Sequence, residues 1–236
     1  SKTILQINSK NDANKILNVQ NIYDVQEGIV ATIEPVKSKL FLRRVIAKLP
    51  LQVSYFTEGT FRYIQHYPSI AYNAAFKVIS PDIYGKKIYI KFFNKNNGVL
   101  SYTSADGKAR DFRFTSDEWV TLPFAELKIH VNNYAEIENQ QNTVKESSLF
   151  FIINTVDQLT SDFYSRVNIK LLSEAAKTME ISFQHSNANI TSDLLDTMAA
   201  EVIIFDLEKK GESAKKILAF VDTQLTFVYD RLRNSE

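Results

Sequence analysis

The C-terminal segment, residues 189–236, has the clearest pattern of apolar positions in the chain. Apolar residues recur there at alternating steps of four and three, which places their side chains in one narrow stripe along a helix. The stripe consists of Ala214, Leu218, Val221, Leu225, Val228 and Leu232. The segment predicts two consecutive helices, over 190–210 and from 211 onward, with Asn189, Thr191 or Ser192 capping the first.

No stop signal closes the stripe. The last four residues, 233–236, contain neither glycine nor proline, the usual residues at a helix end. We therefore expect a long C-terminal helix truncated by the end of the sequence, in a protein that is part of a longer chain.

The first 67 residues mix helical and strand periods. Lys2–Ile7 alternates as a strand does, whereas the apolar positions from Asn21 to Lys48 have helical spacing. We predict one helix ending near Glu34 and a second over 35–48, because proline suits a first helical turn. Residues 52–56 and 61–66 then predict a hairpin.

The middle of the chain has the two-residue period of strands. Six short runs favour β-structure, over 74–79, 86–93, 99–104, 109–114, 119–124 and 125–131. Turn sequences separate them at Pro81-Asp82, Asn96-Asn97-Gly98 and Ala105-Asp106-Gly107. This spacing predicts an inserted β-sandwich or jelly-roll-like module over 68–147, which the polar segment 132–147 connects back to the rest.

The remaining residues alternate strands and helices. We predict strands over 149–153, 167–172 and 178–184, and a short helix over 155–166. The fold class is therefore α+β. A mixed α/β base is formed by 1–67 and 148–236, the inserted β-rich module occupies 68–147, and the long C-terminal helix completes the base.

Composition excludes several function classes. The chain has 236 residues, 28 Lys and Arg against 27 Asp and Glu, and no cysteine. So balanced a charge does not favour nucleic acid as a partner. The absence of cysteine excludes disulfides, thiolate metal sites and a cysteine nucleophile. No apolar run approaches the roughly 18 residues that span a bilayer.

The sequence predicts no catalytic, cofactor-binding or metal-binding residue. His66, His130 and His185 lie far apart, without the spacing that brings two ligands to one face, and each is interpreted as an ordinary strand or strand-edge residue. The six glycines are scattered and form no phosphate-binding loop. No cofactor is therefore expected.

Two acidic pairs are candidates for acid–base chemistry. Asp117 and Glu118 are neighbours, and Asp193 and Asp196 are one helical turn apart. The structural interpretation is favoured for both: the first pair belongs at a strand-to-turn boundary, and Asp193 in the first turn of a helix, where negative charge is stabilising.

Aromatic residues in or beside the β-module suggest saccharide binding. They are Tyr84, Tyr89, Tyr102, Trp119 and Tyr134. An exposed ring on a sheet can stack on the C–H face of a sugar, and Trp119 and Tyr102 are the candidate contacts. The alternative is that these rings pack in the sheet, where aromatic residues are common in any case.

Two segments resemble a known family. Residues 178–236 follow the order of a strand, a polar turn, a helix, the sequence Leu-Glu-Lys-Lys and a second helix, and 33–59 reads IEPVKSKLFLRRVIAKLPLQVSYFTEG. Both are similar to Wzz/Wzc-type polysaccharide co-polymerases, especially those of Bacteroidetes. These proteins are the chain-length determinants and exopolysaccharide-transport tyrosine autokinases of bacteria.

The resemblance implies a periplasmic, non-catalytic scaffold. Family members are inner-membrane proteins that assemble as rings, with a transmembrane helix on each side of the periplasmic region. Some carry a cytoplasmic kinase domain, whose motifs are not found here. The implied partners are further copies of the chain, polysaccharide and export-machinery proteins, with membrane attachment through flanking segments and no nucleic acid.

Overall fold

The computed structural model describes residues 2–6, 33–59, 63–104, 106–142, 148–173, 176 and 178–233. The predicted α+β class is confirmed, with twelve strands in three antiparallel sheets and a long C-terminal helix among the described residues. Most of the predicted helix over 21–34 lies outside those residues, as does the side chain of Leu232.

The chain divides into two compact units. The sandwich unit comprises Ile46–Arg166 and Gln184–Leu194, and the helical unit comprises Ser1–Val45, Val167–Phe183 and Leu195–Glu236. The boundaries between the two units differ from the predicted boundaries at 67/68 and 147/148, because strands on both sides of the predicted insert share one sheet with strands inside it.

Within the described residues, two sheets and two short α-helices lie wholly inside the sandwich unit. Its strands are β2 (Val53–Glu58), β3 (Tyr63–His66), β4 (Tyr72–Val78), β5 (Lys87–Phe92), β6 (Asn97–Thr103), β7 (Ala109–Thr115), β8 (Trp119–Thr121), β9 (Ala125–Val131) and β10 (Ser148–Ile153). The strand orders are β3-β2-β10-β5-β6-β7 and β4-β9-β8. The helices are α2 (Tyr134–Asn142) and α3 (Val156–Tyr164).

Strand β10 explains why the predicted insert is not separate. It lies between β2 and β5 and pairs with both, so strands from 53–58 and 148–153 share a sheet with strands of the predicted insert. The sequence period shows where strands are, but it does not show which strands are neighbours. The observed boundary therefore falls outside β2 and β10.

One apolar core fills the space between the two sheets. Alternate residues of both sheets point into it, as the period of two requires. Among its fully buried members are Ile88, Leu100, Leu127, Ile129 and Phe151. A shared core of this kind is the arrangement of a β-sandwich.

Helix α2 corrects the prediction of a polar connection over 132–147. Its single buried residue, Ile137, belongs to the sandwich core. Gln141 binds the end of β5 in the manner of a neighbouring strand: the Phe92 N–H donates to its Oε1 at 2.8 Å, and its Nε2 donates to the Phe92 carbonyl at 3.2 Å. A polar helix is therefore fixed by one apolar anchor and one amide side chain.

The described part of the helical unit includes a three-stranded sheet and parts of two helices. The sheet has the order β1-β12-β11, from β1 (Lys2–Gln6), β11 (Val167–Ser173) and β12 (Thr178–Phe183). Helix α1 (Lys39–Ala47) begins after Ser38, whose Oγ accepts a hydrogen bond from the Phe41 N–H at 3.1 Å. The start predicted at Pro35 is thus too early, although residues 33–36 are helical.

Helix α4 (Ala188–Arg233) is continuous, which corrects the prediction of two helices. Gly211 does not interrupt it, because glycine costs only about 1 kcal/mol in a helix whose neighbouring residues favour it. At 46 residues the helix is about 70 Å long. In the helical unit, α4 contacts α1 through an edge-to-face pair of Phe205 and Phe41 and through Arg44, whose Nη2 lies 2.6 Å from Oε1 of the buried Glu201.

The start of α4 is tied to the end of β3. Asn187, rather than the three predicted residues, caps the helix: its Oδ1 accepts from the N–H groups of Asn189 and Ile190. The Asn187 and Asn189 amides donate to the carbonyls of Gln65 and Tyr67. Further along, the Tyr67 hydroxyl donates to Asp193 at 2.7 Å.

Candidate functional site

From Ile204 to Val228, α4 carries a continuous apolar face. Eight residues at alternating steps of three and four line it, and all eight are exposed. We call this set the exposed helical face: Ile204, Leu207, Gly211, Ala214, Leu218, Val221, Leu225 and Val228. It extends the predicted stripe by about three turns toward the start of the helix.

The exposure of this face is large for such apolar side chains. Leu218 and Leu225 are 63% and 64% exposed. Phe220 and Phe227, on another side of the same helix, are 64% and 59% exposed. Contiguous apolar surface of this kind usually marks an interaction site. The spacing of 3.5 residues per turn is that of helices that pack along one another.

The exposed helical face is chemically suited to association only. It presents aliphatic side chains without carboxylates or imidazoles. Among the neighbouring polar residues, Lys215 and Asp222 flank the face and Asp230 lies on the opposite side of the helix. The geometry therefore offers a surface for another helix and no group for acid–base or nucleophilic chemistry.

The three histidines lie in different places, and each has its own partner. His66 ends β3 and its Nε2 is 2.7 Å from the Thr57 hydroxyl. His130 is on β9, where its Nδ1 is 2.7 Å from Oδ1 of Asp117. His185 follows β12, accepts a hydrogen bond from the Asn187 N–H at 3.0 Å and lies against the Phe163 ring.

Two of these histidines should make the sandwich unit sensitive to acid. Burial lowers the pKa of His66, and burial together with the charge of Arg166 lowers the pKa of His185. The unfolded chain therefore binds more protons below the ordinary histidine pKa of about 6.5. We expect the free energy of unfolding to fall as the pH decreases from 7 to 5.

Urea unfolding at several pH values tests this expectation. The double variant His66→Gln, His185→Gln should show a shallower decrease between pH 7 and pH 5 than the unmodified chain. An identical decrease in both proteins would show that other groups cause the acid sensitivity.

The acidic pairs occupy structural positions. Asp117 lies in the turn before β8 with a positive φ of 65°, and its carboxylate pairs with His130. Asp193 accepts the Tyr67 hydroxyl hydrogen bond and lies in the second turn of α4, not in the first as predicted. Burial and this carboxylate both raise the pKa of Tyr67.

Among the predicted saccharide contacts, Trp119 and Tyr102 differ sharply. Trp119 is 43% exposed at the start of the edge strand β8, whereas Tyr102 is only 6% exposed in the core, where its ring stacks on Phe112. The prediction that Tyr102 offers a surface ring is wrong, because β6 turns this position inward. The other candidates, Tyr84, Tyr89 and Tyr134, are partly buried.

The described ranges contain no group of three or more carboxylate, histidine or cysteine side chains able to share a metal ion. In the part of the chain that the structure describes, no helix combines the length and the apolar character needed to cross a bilayer. No protein-family model matches this chain, and no curated protein sequence matches it either.

Proposed function

We propose that this chain is a non-catalytic periplasmic scaffold of a bacterial inner-membrane protein, which regulates the polymerisation or export of capsular or exopolysaccharide by assembling into oligomers. The observation that carries the proposal is the exposed helical face, a long apolar surface without catalytic groups. The sequence resemblance to polysaccharide co-polymerases supports the same role.

The physical basis is the cost of leaving such a face in water. Burial of apolar surface stabilises association by roughly 25 cal/mol per Å², and a 3.5-residue repeat lets two helices bury their stripes along their whole length. Further copies of the chain are the proposed neighbours of this surface.

Crosslinking in the intact membrane protein tests the assembly role. Because residues 1–236 contain no cysteine, Leu218→Cys introduces a single thiol into this region on the exposed helical face. A thiol crosslinker should join copies through that position. The control variant Ala219→Cys, on the other side of the helix, should crosslink weakly.

Charge substitution tests the link to polysaccharide. Replacing both Leu218 and Leu225 with glutamate in the chromosomal gene should dissociate the oligomer and change the size distribution of the surface polysaccharide. Ala219→Glu with Thr223→Glu adds the same charge on the polar side and should do neither. Unchanged oligomers and unchanged polysaccharide in the leucine variant would contradict the proposal.

A second candidate function is direct saccharide binding by the sandwich unit. It is favoured by one specific observation, the exposed indole of Trp119 on the outer side of a sheet. It is compatible with a scaffold role, since a scaffold that regulates a polymer can also contact it.

A further inference from the structure

We propose that the outward face of the sheet β4-β9-β8 binds an acidic saccharide unit, with Trp119 as the stacking surface and Lys77 and Lys128 as the charged contacts. The proposal rests on the saccharide-binding candidate above and does not depend on the assembly role of α4.

The strand register brings these residues together. Trp119 of β8 lies opposite Lys128 of β9, and Lys128 lies opposite Ala75 of β4. In the next row, Glu126 lies opposite Lys77. Side chains two positions apart share a face of a sheet, so these residues all point outward, away from the core that buries their neighbours on β9.

The indole of Trp119 is suited to stacking. It is a large ring left substantially in water, on a face otherwise occupied by polar and small side chains. Ala75, which ends the same row, carries only a methyl group, so that end of the row leaves space over the sheet. The apolar C–H face of a pyranose ring matches such a surface.

The two lysines give this surface its selectivity. The Nζ atoms of Lys77 and Lys128 lie 4.1 and 5.4 Å from the centroid of the indole, within the range of cation–π interaction. A neutral sugar that stacked there would displace the ammonium groups from the indole and would offer them no new charged partner. A sugar bearing a carboxylate would replace each lost contact with an ion pair.

Lys128 is the better anchor of the two. Lys77 is already paired with Glu126, at 3.0 Å from its Oε2. For Lys128, no carboxylate of the described ranges lies within salt-bridge distance of the Nζ atom, which lies over the indole instead. His130, next along β9 on the same face, can exchange hydrogen bonds with sugar hydroxyls through its Nε2.

Calorimetric titration with two matched ligands tests the proposal. The probes are trigalacturonic acid and its trimethyl ester, which have the same rings but differ in charge. The acid should bind about fivefold more tightly at low salt, the size expected of an exposed ion pair. High salt should shrink this preference, because it screens exposed charges. Trp119 is the only tryptophan, so its fluorescence reports the same binding event.

Three variants separate the contributions. Lys128→Gln should lower the affinity for the acid about fivefold and should not weaken binding of the ester. Lys91→Gln, at an exposed lysine on β5, is the matched control and should change neither. Trp119→Ala should abolish binding of both ligands. Trp119→Phe keeps an aromatic ring and should retain part of the affinity, which would show that the loss in the alanine variant is not caused by misfolding.

Equal binding of acid and ester, absence of binding to either, or equal effects of Lys128→Gln and Lys91→Gln would each overturn the proposal. These results are independent of crosslinking through Leu218, because that experiment reads only the association of α4. Failure at the sheet therefore leaves the scaffold role to be judged by its own test.

Discussion

Replacing Phe151 with alanine is expected to lower the free energy of unfolding of the sandwich unit by about 4 kcal/mol. Phe151 is 0% exposed on the central strand β10, and its ring lies 6.3 and 6.4 Å from those of Tyr55 and Tyr72. Truncation removes the buried ring and leaves a cavity between the two sheets. Because β10 is held by β2 on one side and β5 on the other, the backbone cannot easily move in to fill that cavity.

Urea denaturation followed by Trp119 fluorescence measures this effect, because that tryptophan belongs to the sandwich unit. Phe93→Ala is the matched control. Phe93 is 58% exposed, so its truncation should change the free energy of unfolding by less than about 0.5 kcal/mol. Equal losses in the two variants would contradict the assigned core.

Replacing Gly98 with alanine should lower the free energy of unfolding by about 3 kcal/mol. The reason is overpacking of the core, the opposite of the cavity left at Phe151. Gly98 is buried in β6, where an added Cβ would overlap the Lys91 carbonyl oxygen and lie 2.5 Å from the Phe114 ring. Neither neighbour can move easily, because the carbonyl is part of the β5 backbone and the ring is in the core.

Thermal denaturation compares this variant with Gly211→Ala. An added Cβ at Gly211 meets nothing within 4 Å, so alanine should stabilise α4 by up to about 1 kcal/mol through its higher helix propensity. A Gly98 variant as stable as the unmodified chain would show that β5 and β7 leave more space there than the structure indicates.

Gly98 also shows where sequence reasoning reaches its limit. Asn96-Asn97-Gly98 is predicted as a turn, but the turn lies earlier, where the Asn94 side chain accepts hydrogen bonds from the N–H groups of Asn96 and Asn97. The glycine itself is a strand residue kept small by Phe114. A turn and a close packing contact both favour glycine, and only the tertiary structure shows which of these two reasons applies.

Strand positions were predictable because they depend on a local period. The six runs over 74–131 correspond to β4–β9, and Gly107 has the positive φ of 78° that its turn requires. Helix α2 was missed because Asn139–Asn142 lack an apolar stripe, and its fixation by Ile137 and Gln141 is a tertiary effect.

The candidate site was predictable in part. The stripe on α4 follows from helical spacing. Its exposure depends on whether other parts of the chain cover it, and the spacing of apolar residues carries no information about that. Similarly, Trp119 and Tyr102 both occur in strands of alternating pattern, and the pattern alone does not say which side of the sheet is the core. The lysines around Trp119 become visible only through the register of β4, β9 and β8.

The hydrogen bonds between the start of α4 and the end of β3 have a mechanical consequence. Among the strands that the structure describes, β3 is the outermost of its sheet and pairs with β2 alone. A pull on the helix base would therefore load the amides of Asn187 and Asn189 first, and the outermost strand would peel away before any inner strand separated. The sheet thus has a defined point at which tension along the helix would begin to open it.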